Sequence, residues 1–67
     1  MSYQTPPDFK VKVKEYECFA SMLRRDYPGK NTCIRHLISA VFNDAELEEW
    51  DEDQKHHLVV ETINTIF

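Results

Sequence analysis

The apolar positions of residues 31–42 repeat with the spacing of an α-helix and form the most apolar segment of the chain. At about 100° of rotation per residue they share one broad face, which Cys33 and Ala40 widen. Arg35 and Ser39 fall on the narrow polar strip that remains. The pattern predicts a central helix over residues 31–42 with five buried side chains: Ile34, Leu37, Ile38, Val41 and Phe42.

Apolar residues upstream have the same spacing and predict a first helix over residues 6–26. Thr5 precedes two prolines and an acid, a typical helix start, so we expect Thr5 to be the N-cap. The face that packs on the central helix comprises Phe9, Val13, Tyr16, Phe19, Ala20 and Leu23. Residues 9–14 also alternate with the period of a β-strand. We favour helix because no other segment alternates comparably, and an extended start is the alternative.

Pro28 and Gly29 mark the break before the central helix, for which Asn31 or Thr32 is the expected cap. After that helix the pattern predicts a short helix over residues 45–50, with Leu47 and Trp50 facing inward.

Asp51 and Gln54 have the spacing of a capping box. They introduce a last helix over residues 52–67. Its apolar face is expected to dock on the core through Val59, Val60, Ile63, Ile66 and Phe67. The sequence therefore predicts an all-α fold, a compact bundle of three main helices and one short helix.

The chain has 67 residues, which is enough for one helical domain with a small core, residues 1–67. Cys18 and Cys33 have neither CxxC spacing nor a disulfide framework around them, so we expect two buried free thiols. The start lacks the features of a signal peptide, and no apolar run approaches the roughly 20 residues that span a bilayer. These features favour an intracellular protein, in the cytoplasm or nucleus, with no membrane contact.

The net charge of −4 is unevenly distributed. Residues 1–35 carry seven Lys/Arg and four Asp/Glu, which gives +3, whereas residues 36–67 carry one Lys and eight Asp/Glu, which gives −7. A chain divided in this way is suited to self-association or to separate basic and acidic partners. Ordinary solvated helix faces are the alternative.

A second, thinner apolar stripe lies opposite the packing face of the first helix and consists of Val11, Cys18 and Met22. In a monomer it would be exposed to water, so it predicts contact with a second subunit, as in a homodimer, or with another protein. Scattered surface apolar residues are the alternative interpretation.

Neither the histidines nor the cysteines have the spacing of a catalytic or metal site. His56 and His57 are adjacent and diverge by about 100° on a helix, so a metal would need His36 or a cysteine brought close by folding. No glycine-rich phosphate loop is present. We expect a non-enzymatic protein without metal, cofactor or small-molecule substrate.

Two charged sets are candidate contact surfaces. The basic set, a candidate site for nucleic acid or a partner, comprises Lys10, Lys12, Lys14, Arg24, Arg25 and Lys30. The acidic set, which could mimic phosphate spacing, comprises Glu46, Glu48, Glu49, Glu52 and Asp53.

Part of the sequence resembles BEN domains, small helical modules of chromatin and viral proteins. The resemblance covers residues 30–47 and 53–67 and rests on Lys30, Arg35, Leu37, Ile38, Val41, Phe42, Glu46, Leu47, Asp53, Leu58, Val59, Ile63 and Phe67. BEN domains act in transcription, and some bind DNA. Family members usually have an extra segment where this chain has its acidic turn, and acids there would repel phosphate. The resemblance therefore implies the protein-contact role of the family.

We expect a helical regulatory or adaptor module that acts by protein–protein association, in transcription or other DNA transactions. Direct binding of DNA or RNA through the basic set, and inhibition of a nucleic-acid-binding protein through the acidic set, are the alternatives.

Overall fold

The computed structural model describes residues 5–67, which form a bundle of three α-helices. They are α1 (Phe9–Asp26), α2 (Lys30–Phe42) and α3 (Glu52–Ile66), and a 3-10 helix, Ala45–Leu47, lies between α2 and α3. The predicted all-α bundle is confirmed. Residues 9–14 are helical. A strand would place Phe9, Val11 and Val13 on one face, whereas in the helix Phe9 and Val13 pack on the core and Val11 is exposed on the other side.

The first helix begins at Phe9 and not at residue 6, so the prediction of Thr5 as its N-cap is wrong. Asp8 takes the N-cap position without a side-chain cap, and its carbonyl accepts the Lys12 N–H at 3.0 Å. The reason lies in the two prolines. A residue that precedes proline is held out of the α conformation, so Pro6, which precedes Pro7, cannot enter the helix.

The second helix begins at Lys30, and Gly29 is its N-cap, so neither Asn31 nor Thr32 has the predicted capping role. This earlier start allows the Gly29 carbonyl to accept the Cys33 N–H at 3.1 Å.

The predicted capping box of α3 is confirmed. Asp51 Oδ1 accepts the Gln54 N–H at 2.8 Å, and Gln54 Oε1 accepts the Asp51 N–H at 2.9 Å. A helix leaves its first four N–H groups without intrahelical partners, and this arrangement satisfies one of them together with the N–H of the cap residue.

The core lies where the three helices meet and is closed at one end by the 3-10 helix. Its buried apolar side chains are Phe9, Ala20, Leu23, Cys33, Leu37, Val41, Leu47, Trp50, Leu58, Val59 and Ile63. Leu47 and Trp50 face inward as predicted, and the Trp50 ring stacks on Phe9 with 5.9 Å between centroids. On α2, Leu37 and Val41 are fully buried, whereas Ile34, Ile38 and Phe42 pack half-buried at the edge of the core.

Four residues predicted to be buried are exposed: Cys18, Phe19, Val60 and Phe67. Cys18 lies on the side of α1 that faces away from the core. Phe19 sits at the edge of the α1 packing face, where its ring meets Tyr16 edge-on. Val60 follows the buried pair Leu58 and Val59 and is rotated by about 200° from Leu58, which turns it away from the core. Phe67 lies beyond the end of α3, where the Arg24 guanidinium lies over its ring.

Each helix contacts the other two, and α1 makes its most extensive contacts with α3. The bundle is elongated, with extents of 35 × 20 × 20 Å. The side of α1 opposite its buried residues Phe9 and Ala20 remains uncovered. Within residues 5–67, no helix combines the length and the apolar character needed to cross a membrane.

Candidate protein-association surface

The uncovered side of α1 carries a row of apolar side chains. Val11, Cys18 and Met22 are separated by seven and four residues, which places them on one face of the helix. Val11 is 57% exposed and Met22 is 61% exposed, and the Cys18 thiol is also exposed. The buried residues Phe9 and Ala20 lie on the opposite side of α1. We call this row the outer face of α1.

The outer face has a basic flank. A residue three positions after a member of the row is rotated by about 60° to one side of it. Lys14 follows Val11 in this way, Arg25 follows Met22, and Lys10 lies further to the same side. All three side chains are exposed.

The other flank of the outer face is acidic. A residue four positions after a member of the row is rotated by about 40° to the opposite side. Glu15 follows Val11 in this way, and Asp26 follows Met22. Both are exposed. The apolar row therefore runs between a basic flank (Lys10, Lys14 and Arg25) and an acidic flank (Glu15 and Asp26).

Two members of the predicted basic set serve the fold itself. The Lys12 side chain is only 8% exposed, and its Nζ lies 3.0 Å from Glu46 Oε2 and 3.2 Å from Glu15 Oε2. The Arg24 guanidinium donates to the Ile66 carbonyl and lies over the Phe67 ring, 4.9 Å from its centroid. The structure thus brings Lys10, Lys14 and Arg25 together on one side of α1. Lys30 is exposed at the start of α2, beyond this row.

The buried Lys12 belongs to a polar cluster that joins α1 to the segment after α2. Tyr16 Oη donates to Asp44 Oδ2 at 2.6 Å, next to the Lys12–Glu46 ion pair. The hydrogen bond to Glu46 raises the pKa of Lys12, against the effect of its burial. Burial, reinforced by the hydrogen bond to Asp44, raises the pKa of Tyr16. The same hydrogen bond lowers the pKa of Asp44. These groups hold the two elements together.

The predicted acidic set is divided by the same cluster. All five are exposed at the end of the bundle that contains the 3-10 helix, but Glu46 is paired with Lys12, whereas Glu48, Glu49, Glu52 and Asp53 are not part of the cluster. Glu52 and Asp53 lie in the first turn of α3, where the helix dipole favours negative charge. Their position therefore has a structural explanation that needs no partner.

The histidines and Cys33 contact neighbouring aromatic or backbone groups. His36 stacks on Tyr27 with 4.5 Å between centroids, and the Cys33 thiol donates to the Tyr27 carbonyl at 3.1 Å. His56 meets the Phe42 ring edge-on, and the His57 ring lies 5.2 Å from that of Phe9. In the part of the chain that the structure describes, no three His, Cys, Asp or Glu residues are grouped to hold a metal ion.

Comparison with protein-family models, curated proteins and solved structures found no match. The resemblance to BEN domains stays a prediction.

Proposed function

We propose that this protein is a non-enzymatic association module that acts by contact with other proteins, and that its contact surface is the outer face of α1. The exposed row of Val11, Cys18 and Met22 carries the proposal. Single exposed apolar residues are common on protein surfaces, but these three are aligned in one row on the side of a helix opposite the core. Burial of such a strip favours association because it removes apolar area from water.

A regulatory or adaptor role fits this surface better than catalysis does. The perturbed groups of the polar cluster bind one another, and the exposed row has no titratable side chain except the Cys18 thiol. Through the resemblance to BEN domains, the proposal extends to transcription and other DNA transactions as the setting of this association.

Analytical sedimentation tests whether copies of the chain associate with one another through this surface. We expect the wild-type chain to dimerise within a range of about 10 μM to about 1 mM, which corresponds to association free energies of about −7 to −4 kcal/mol. Val11→Glu places a charge in the exposed row and is expected to remain monomeric throughout, with an unchanged helical circular dichroism spectrum.

Val60→Glu is the matched control, since Val60 is 53% exposed, lies on α3 and is not part of the row. It should dimerise as the wild type does. A wild-type chain that is monomeric across the whole range, or equal loss of association in both variants, contradicts the proposed surface.

A second candidate function, direct binding of DNA or RNA, is favoured by the exposed basic flank of α1. The affinity of a duplex for this flank should fall steeply with salt, with a log–log slope of about −2 to −3 for two to three phosphate contacts. Lys10→Glu combined with Lys14→Glu should abolish binding, and Lys55→Glu on α3 should not. Binding that is equally weak in all three proteins, or insensitive to salt, removes this candidate.

A further inference from the structure

The two flanks of the outer face differ in charge, and this difference constrains how a second copy can pack. Two helices that face each other along the same strip are related by a two-fold axis in either of two ways. When the axis runs along the helices, they are parallel and each flank faces the opposite flank of the partner helix. When the axis is perpendicular to the helices, they are antiparallel and each flank faces its own equivalent.

Charge favours the parallel arrangement. It brings the basic flank of each copy, Lys10, Lys14 and Arg25, against the acidic flank of the other, Glu15 and Asp26. Glu15 also pairs with Lys12 of its own chain at 3.2 Å, but its side chain remains 57% exposed. Lys14 and Glu15 are consecutive, as are Arg25 and Asp26, so opposite charges of the two copies lie at nearly the same height along the axis. The antiparallel arrangement brings lysines of one basic flank close to Arg25 of the other, which is repulsive.

The acidic end of the bundle does not reverse this preference. Its exposed carboxylates at the start of α3 lie behind α1 as seen from the outer face, and packed helices are separated by about 8–10 Å. In a dimer through α1, the two acidic ends are therefore roughly 25 Å apart, well beyond the screening length of about 10 Å at 0.1 M salt. Contacts between the flanks are closer and determine the orientation.

We infer that the protein forms a parallel, two-fold symmetric dimer through the outer face of α1, in which Cys18 meets Cys18 of the second copy. This inference rests on the proposed function and adds to it the partner, a second copy of this chain, and the geometry. In a parallel pair, a residue that points toward the two-fold axis faces the same residue of the other copy. Val11 therefore meets Val11, and Met22 meets Met22.

Cysteine crosslinking tests the geometry directly. In a Cys18→Ser background, Val11→Cys and Met22→Cys are prepared with tags of different length and oxidised mildly, alone and mixed. We expect each variant to crosslink with itself at least about tenfold faster than a Val60→Cys control, because a disulfide requires Cα atoms about 4.4–6.8 Å apart. Position 11 should not crosslink with position 22, since 11 residues separate them by about 16 Å along the axis.

The outcomes separate the geometry from the association itself. Crosslinking of position 11 only with position 22, in a chain that sediments as a dimer, overturns the parallel arrangement and leaves the association surface intact. Crosslinking no faster than that of the control, in a chain that sediments as a monomer, overturns both. Self-crosslinking at positions 11 and 22, with none between them, supports the inferred dimer.

Discussion

Leu37→Ala is expected to lower the free energy of unfolding by about 3 kcal/mol, the largest effect of any single change considered for this chain. Leu37 lies in the middle of α2 and has no exposed surface. Truncation removes buried apolar area and leaves a cavity that the neighbouring side chains fill only partly. A domain of this length has a total free energy of unfolding of only about 3–10 kcal/mol, so much of its stability is lost.

Urea denaturation followed by circular dichroism measures this loss. Val60→Ala is the control, because Val60 is exposed on α3 and its truncation should change the free energy of unfolding by less than about 0.5 kcal/mol. A loss for Leu37→Ala that is no larger than that of the control would show that α2 does not pack against the core as described.

Tyr16→Phe is expected to lower the free energy of unfolding by about 2 kcal/mol near neutral pH, the second-largest effect. The substitution removes only the hydroxyl, which donates to the Asp44 carboxylate at 2.6 Å. Hydrogen bonds to charged groups are stronger than those between neutral groups, and the carboxylate also loses a partner. Tyr27→Phe is the matched control, because the Tyr27 hydroxyl makes no hydrogen bond within residues 5–67.

The difference in stability between wild type and Tyr16→Phe should depend on pH in a defined way. The pKa of Asp44 is lowered in the folded state. The carboxylate therefore contributes to the free energy of unfolding above its ordinary pKa of 3.8, and this contribution is lost as the pH falls further. The pKa of Tyr16 is raised in the folded state. The protonated hydroxyl therefore contributes to the free energy of unfolding below its ordinary pKa of 10.0, and this contribution is lost as the pH rises toward the higher pKa of the folded state.

We therefore expect the difference to be greatest between about pH 4 and pH 10 and to shrink on both sides. Unfolding midpoints measured from pH 3 to pH 11 on wild type, Tyr16→Phe and Tyr27→Phe check this. A difference that is constant over the range, or equal for the two phenylalanine variants, would mean that the hydrogen bond to Asp44 does not stabilise the fold.

Helical periodicity was sufficient to predict the three helices, because their apolar spacing and the break at Pro28 and Gly29 are local features of the chain. It was less reliable at the helix ends and at the edges of the packed faces. The effect of Pro7 on Pro6 keeps residue 6 out of α1, and the exposure of Val60 depends on which face of α3 the other helices cover. The spacing of apolar residues along α3 does not show which of its faces the other helices cover.

The outer face of α1 followed from sequence because it lies opposite a clear packing face. The burial of Lys12 did not, since its partner Glu46 is 34 residues away in the chain. One signal was available: Lys12 lies three residues after Phe9 and four before Tyr16, so it falls on the core side of α1 and away from the other lysines. A buried lysine is costly unless its charge is paired, so a lysine on a packing face predicts an acidic partner elsewhere in the fold.

The extensive contact between α1 and α3 has a consequence for synthesis on the ribosome. When Asp26 has been made, α1 is complete in sequence, but 40 residues, 27–66, still have to be added before its main packing partner α3 is complete. At about 5–20 residues per second this takes about 2–8 s. During that time Phe9, Ala20 and Leu23 lack most of their cover, and the nascent chain presents apolar surface on both sides of α1. The bundle therefore closes only after translation has passed its last helix.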